Sequence, residues 1–153
     1  MADVGVLTSC LCFVASVCTL VLGAIYVMLK LDGMHLRFDS CGWMQDDCNK
    51  NWREFFSFRP NVLFDVWTPL LVGILGTSVH VNGLKVCFLF EWLLPRTYVH
   101  YAFFMLVTAF FANFGYCGQV GVLIGVFSLC SAAMCVLAHL MREGSIKVLQ
   151  TRC

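Results

Sequence analysis

The side chains in this sequence with chemistry to offer are four histidines, a few charged groups inside apolar stretches, and ten cysteines. His80, His100 and His139 each fall near the end of an apolar segment, and a chain that runs up and down brings all three to one face. Imidazoles facing each other across a helical bundle can ligate haem, and three can hold a metal ion. A histidine at a helix end can equally meet water and polar headgroups with no ligand, which is the simpler account; His35, in a polar stretch, adds nothing to the group. Glu91 sits in Phe-Leu-Phe-Glu-Trp-Leu-Leu-Pro, and an ionisable group in apolar surroundings is costly enough to raise a functional question. Lys85 and Arg96 stand close enough in sequence to neutralise it, and the Pro95-Arg96 step places it near a surface. Asp65 lies close to the start of a segment, where a helix dipole favours a carboxylate.

Cys41 and Cys48, in CGWMQDDC, share a polar stretch and could close a small ring by a disulfide. Cys10, Cys12, Cys18, Cys87, Cys117, Cys130 and Cys135 lie in or beside apolar segments, where cysteine behaves as a small hydrophobe. There is no CxxC pair, phosphate loop, HExxH, GxSxG or serine–histidine–acid set, so no catalytic residue, cofactor or enzymatic activity is expected. A pump would need a row of membrane acids or arginines, and a transporter paired broken helices; neither pattern is present.

The elements that must position these groups are apolar. Of 153 residues, 60% are hydrophobic and 12% charged, with a mean hydropathy of +0.83. A soluble domain is nearer half apolar and a quarter charged, and one of this size leaves too much surface in water to hide the excess. The composition implies an all-α integral membrane bundle of about four spans, in one domain covering 1–153. A net charge of +1 offers no footprint for nucleic acid.

The first span is expected over about 4–29, free of charge throughout and too long for a signal-peptide core. A polar loop, 30–61, follows with balanced charges, and its Trp and Phe residues suit a membrane interface. Further spans are expected at about 62–84, 98–116 and 119–141, with 86–94 either extending the second or lying in the interface. Basic residues tie between the two sides, so orientation stays open, with the cluster Arg142, Lys147 and Arg152 favouring both termini inside.

Packing has its own signature. Gly121 and Gly125 form a GxxxG step whose face continues through Ser128, Ala132, Cys135 and His139, and Ala15, Thr19 and Gly23 repeat every four residues in the first span. Small-residue stripes let helices approach closely in lipid, either within the bundle or against a partner subunit.

The stretch FLFEWLLPRTYVHYAFFMLVTAFF, with Glu91, Pro95 and Tyr101, is followed by the glycine-rich GYCGQVGVLIG. On these residues the region from Val62 to Leu140 resembles the COPI-associated family of small four-span Golgi membrane proteins. The resemblance implies a Golgi or vesicle membrane protein without catalytic activity. The loop from Leu31 to Asn61 departs from that pattern.

Three functional expectations follow. The first is a non-catalytic accessory subunit of a large membrane complex, packing against other membrane subunits and phospholipid. The energy-transducing complexes of the mitochondrial inner membrane, which hold many small helical subunits, are the best setting for it. The second is a free-standing Golgi or vesicle protein, and the third a haem- or metal-binding redox protein using His80, His100 and His139. Maleimide labelling of Cys41 and Cys48 checks the ring: if it is closed, both thiols react only after a reductant is added.

Overall fold

The computed structural model describes residues 4–31, 62–81 and 97–141, and the side chains of all of these except 29–31 and 62–66. Cys41, Cys48, Lys85, Glu91, Arg96 and most of the 30–61 loop lie outside the described residues. The described chain is helical, without strands. Helix α1 runs Val4–Leu31, α2 Val62–His80, α3 Tyr98–Val107 and α4 Gly118–Leu140.

Long runs of Leu, Val, Ala and Phe leave the backbone no polar partner but itself, and a helix satisfies every interior N–H and C=O locally. The same logic handles the hydroxyls. Ser16, Thr19, Thr77, Ser78, Thr108, Ser128 and Ser131 each donate to the carbonyl four residues earlier, at 2.7–3.0 Å, so they sit among apolar groups without an unpaired donor.

Helix α2 stops at His80, with Val81 already outside it, short of the expected end at 84. Val79 and Val81 are β-branched, and Asn82-Gly83 is a turn dipeptide, so propagation is poorly supported there. Helix α3 changes character at Thr108 and continues as a π-helical stretch, Thr108–Asn113. The Phe114 N–H reaches back five residues to the Ala109 carbonyl at 3.0 Å. Cys117 (φ 51°) and Gly118 (φ 57°) then both adopt left-handed backbone and turn the chain into α4.

The contacts define an up-down-up-down arrangement. Antiparallel to α1, α2 brings Gly73 against Leu20 and Gly76 against Ser16. Parallel to α1, α3 sets Tyr98 beside Gly5 and Tyr116 beside Tyr26. Helix α4 returns along both, with Cys135 against Cys12 and Ser128 against Asn113. The ends carrying His80, His100 and His139 therefore share one end of the bundle.

Every expected packing residue is buried: Ala15, Thr19 and Gly23 on α1, and Gly121, Gly125, Ser128 and Ala132 on α4. Gly23 meets the backbone of Pro69 and Leu70, and Gly121 meets the carbonyls of Asn113 and Tyr116. Both stripes are thus turned inward. His139 is not part of the α4 stripe: it is exposed, and Ala138 takes the buried place. At about 100° per residue, the buried face has turned by one position toward α1, through Ser131, Cys135 and Ala138.

A Cβ added at Gly73 would lie 2.5 Å from the Leu20 Cα, an atom that cannot move without the helix. Gly73→Ala should therefore lower stability by about 1–3 kcal/mol. Val21→Leu, on the outward face at 51% exposure, should stay within about 0.5 kcal/mol. Thermal unfolding of both variants in detergent measures the difference.

Candidate functional site

A group of buried polar side chains lies toward the end where α1 and α3 begin and α2 and α4 finish. Tyr98 and Tyr101, one turn apart on α3, both point at α1 and are 1% exposed. The Tyr98 hydroxyl donates to the Gly5 carbonyl at 3.2 Å and lies 3.5 Å from the Ser9 hydroxyl. The Tyr101 hydroxyl is the more connected. It donates to the Gly76 carbonyl at 3.2 Å, with Ser16 Oγ at 3.1 Å and His80 Nε2 at 3.0 Å.

Ser16 donates to the Cys12 carbonyl at 2.9 Å. Tyr101 has a single hydroxyl hydrogen for the Gly76 carbonyl and His80 Nε2, so the direction of the His80 bond follows the imidazole tautomer. His80 Nδ1 is buried with no hydrogen-bond partner among the described residues. The imidazole is held edge-on by the rings of Phe13 at 5.8 Å and Tyr101 at 5.3 Å. The Tyr101 oxygen thus stands where three helices meet, with Ser16 of α1 and Gly76 and His80 of α2 all within 3.2 Å of it.

The three histidines do not converge. His80 is inside, whereas His100 and His139 are exposed. His100 belongs to the start of α3: its backbone N–H donates to Thr97 Oγ1 at 3.4 Å, and its Nδ1 lies 3.2 Å from that oxygen. Among the described residues no three His, Cys, Asp or Glu side chains are grouped to hold a metal ion. This grouping gives the redox expectation no support.

One turn from Ser16, Cys12 faces Cys135 of α4 with the sulfurs 3.2 Å apart and both residues buried. Further along, Asn113, fully buried at the end of the π-helical stretch, donates from Nδ2 to Ser128 Oγ at 3.0 Å. The wider helix at this point offsets Asn113 toward α4, a use typical of such stretches.

Of the internal network, the sequence alone singled out His80, Tyr101, Ser128, Cys135 and the glycines Gly23, Gly121 and Gly125. Ser9, Cys12 and Ser16, spaced three and four apart on α1, carried the missing signal, as did Tyr98 beside Tyr101.

No known protein family, characterised protein or solved structure matches the chain. By length and composition, α1 over Val4–Met28 and α4 over Gly118–Leu140 are long and apolar enough to cross a membrane, each with a mean hydropathy of 2.4.

Interhelical hydrogen bonds in lipid average only about 0.6 kcal/mol, with a maximum near 1.7. Tyr98→Phe should fall near that average. Tyr101→Phe should cost about 1–3 kcal/mol, because it strips the partner from a buried imidazole as well as from Gly76. Unfolding midpoints of the two variants, compared in one detergent, test the ranking; equal losses would remove Tyr101 from its central position.

Proposed function

We propose that this chain is an integral membrane four-helix bundle acting as a non-catalytic accessory subunit of a larger membrane complex. The energy-transducing assemblies of the mitochondrial inner membrane are its best setting, because they employ many small helical subunits with no chemistry of their own. The observation that carries the reading is the inverted distribution of side chains. The interior is built mainly from Gly, Ala, Ser, Thr, Cys and Tyr, with Leu22, Val27 and Met105 as larger members, while many large apolar residues point away from it on every described helix. Met28 (62%), Leu71 (48%), Phe103 (69%) and Leu140 (72%) are examples. A soluble monomer seldom exposes contiguous apolar patches beyond a few hundred Å²; acyl chains or neighbouring membrane helices are the surroundings that suit such a surface.

The lengths agree with a bilayer. At about 1.5 Å per residue, the 19-residue α2 reaches about 28 Å, close to a hydrocarbon core of about 30 Å. A bundle with its small residues consumed internally and its bulky ones outside is suited to filling space between subunits and binding phospholipid. The interior residues are tied to one another by hydrogen bonds and close contacts, which supports a scaffold rather than a reaction centre.

Alkaline carbonate should leave the chain in the membrane pellet. A tagged copy solubilised in mild detergent should migrate with a stoichiometric set of partner subunits and localise to the mitochondrial inner membrane. Migration as a lone small bundle removes the accessory role, and a Golgi pattern replaces it with the COPI-associated reading.

A further inference from the structure

We propose that Cys12 and Cys135 are the two halves of an intramolecular disulfide that staples the first helix of the bundle to the last. The sulfurs lie 3.2 Å apart with nothing between them. A disulfide requires about 2.05 Å, so the pair closes by a displacement of little more than an ångström, shared between two side chains. Ala15 on α1, Ala102 on α3, and Ala132 and Ala138 on α4 belong to the same buried cluster, beside Tyr98, Tyr101 and Met105, and these small positions let the helices stand at close range.

The other described cysteines do not offer this. Cys10 and Cys130 are exposed, Cys18 is half-buried, and Cys117 directs its sulfur to the Leu22 carbonyl. Cys12 and Cys135 are 1% and 0% exposed, beyond the reach of a protein oxidase or of glutathione in the folded state. The co-reactant is therefore a small neutral peroxide able to enter an apolar interior. One sulfur attacks the peroxide, the O–O bond breaks, and a sulfenic acid and one water form. The second sulfur then attacks the first: the S–S bond forms, the S–O bond breaks, and the hydroxyl leaves as water with the remaining thiol proton. Two thiols are oxidised and one peroxide is reduced to two waters. The burial that slows the entry of peroxide also shields the product from aqueous reductants, so the staple forms slowly and is durable once made. The inference is independent of the proposed complex and of the membrane that holds it.

The test uses the full chain in its native membrane. Accessible thiols are blocked with maleimide, hydrogen peroxide is added, and the protein is digested without reductant for mass spectrometry. A peptide pair joining Cys12 to Cys135, lighter by two hydrogens than its separate parts, is expected in most molecules. Dithiothreitol should release it only after the bundle is unfolded in detergent. The oxidised wild type should also melt several degrees above the reduced form, a gain absent from Cys12→Ala and Cys135→Ala. Recovery of both residues as free thiols after peroxide, or of either one joined to another cysteine, overturns the proposal. Should the alanine variants fail to fold, the wild-type peptide map decides alone.

Discussion

Between helix faces made of small residues, attraction depends on how closely the backbones approach. In this bundle that distance is set by missing side chains. Where α1 crosses α2, Gly23 touches the backbone at Pro69 and Leu70, and Gly73 touches Leu20, so each helix supplies the gap into which the other fits. Near Pro69 the helix ladder lacks an N–H, and the close approach of α1 there keeps that defect inside the protein. The turn between α3 and α4 follows the same rule, because Gly121 packs on the carbonyls of Asn113 and Tyr116, and Gly125 on the ring of Phe114. Dispersion between atoms in contact falls off within an ångström, so a methyl group at any of these points would separate whole faces.

Close approach is also what makes the polar contacts possible. A tyrosine hydroxyl on α3 reaches a backbone carbonyl of α2 only because Gly76 leaves that carbonyl uncovered, and its Cβ position would sit 2.5 Å from Ser16 Oγ. The hydrogen bonds are then consequences of the packing, and they choose among the registers that packing alone would allow. Sliding α1 by one turn would move Ser16 away from Tyr101 and Ser9 away from Tyr98 together, taking buried hydroxyls from their interhelical partners.

This hierarchy explains what could be read without coordinates. Spacing of four between Ala15, Thr19 and Gly23, and between Gly121 and Gly125, is a property of one helix, and it marks those faces directly. The α2 face was less legible because Gly73 and Gly76 stand three apart in a segment apolar on all sides. The polar network was illegible for a different reason: Ser16, His80 and Tyr101 belong to three helices, and no local pattern says that they meet. Cys12 and Cys135 are 123 residues apart. The π-helical stretch has the same Phe- and Ala-rich composition as the helix before it, and only the five-residue bond at Phe114 reveals the extra residue. His139 shows the limit of extrapolating a stripe, since the buried face follows the neighbouring helices and not an ideal repeat.

The two ends of the bundle are held differently. At one end Tyr98, Tyr101, Ser9, Ser16 and His80 fix the helices by directional bonds. At the other, Tyr26 meets Tyr116 edge-to-face at 5.0 Å, and Leu22 and Cys117 complete an apolar cluster beneath the left-handed turn. Directional bonds resist sliding and rotation, whereas an aromatic contact tolerates both over a small range. The turn end has a directional bond of its own, since Asn113 Nδ2 donates to Ser128 Oγ at 3.0 Å just before the turn. Register is therefore held at both levels of the bundle, by Tyr101 with Gly76 and His80 at one and by Asn113 with Ser128 at the other.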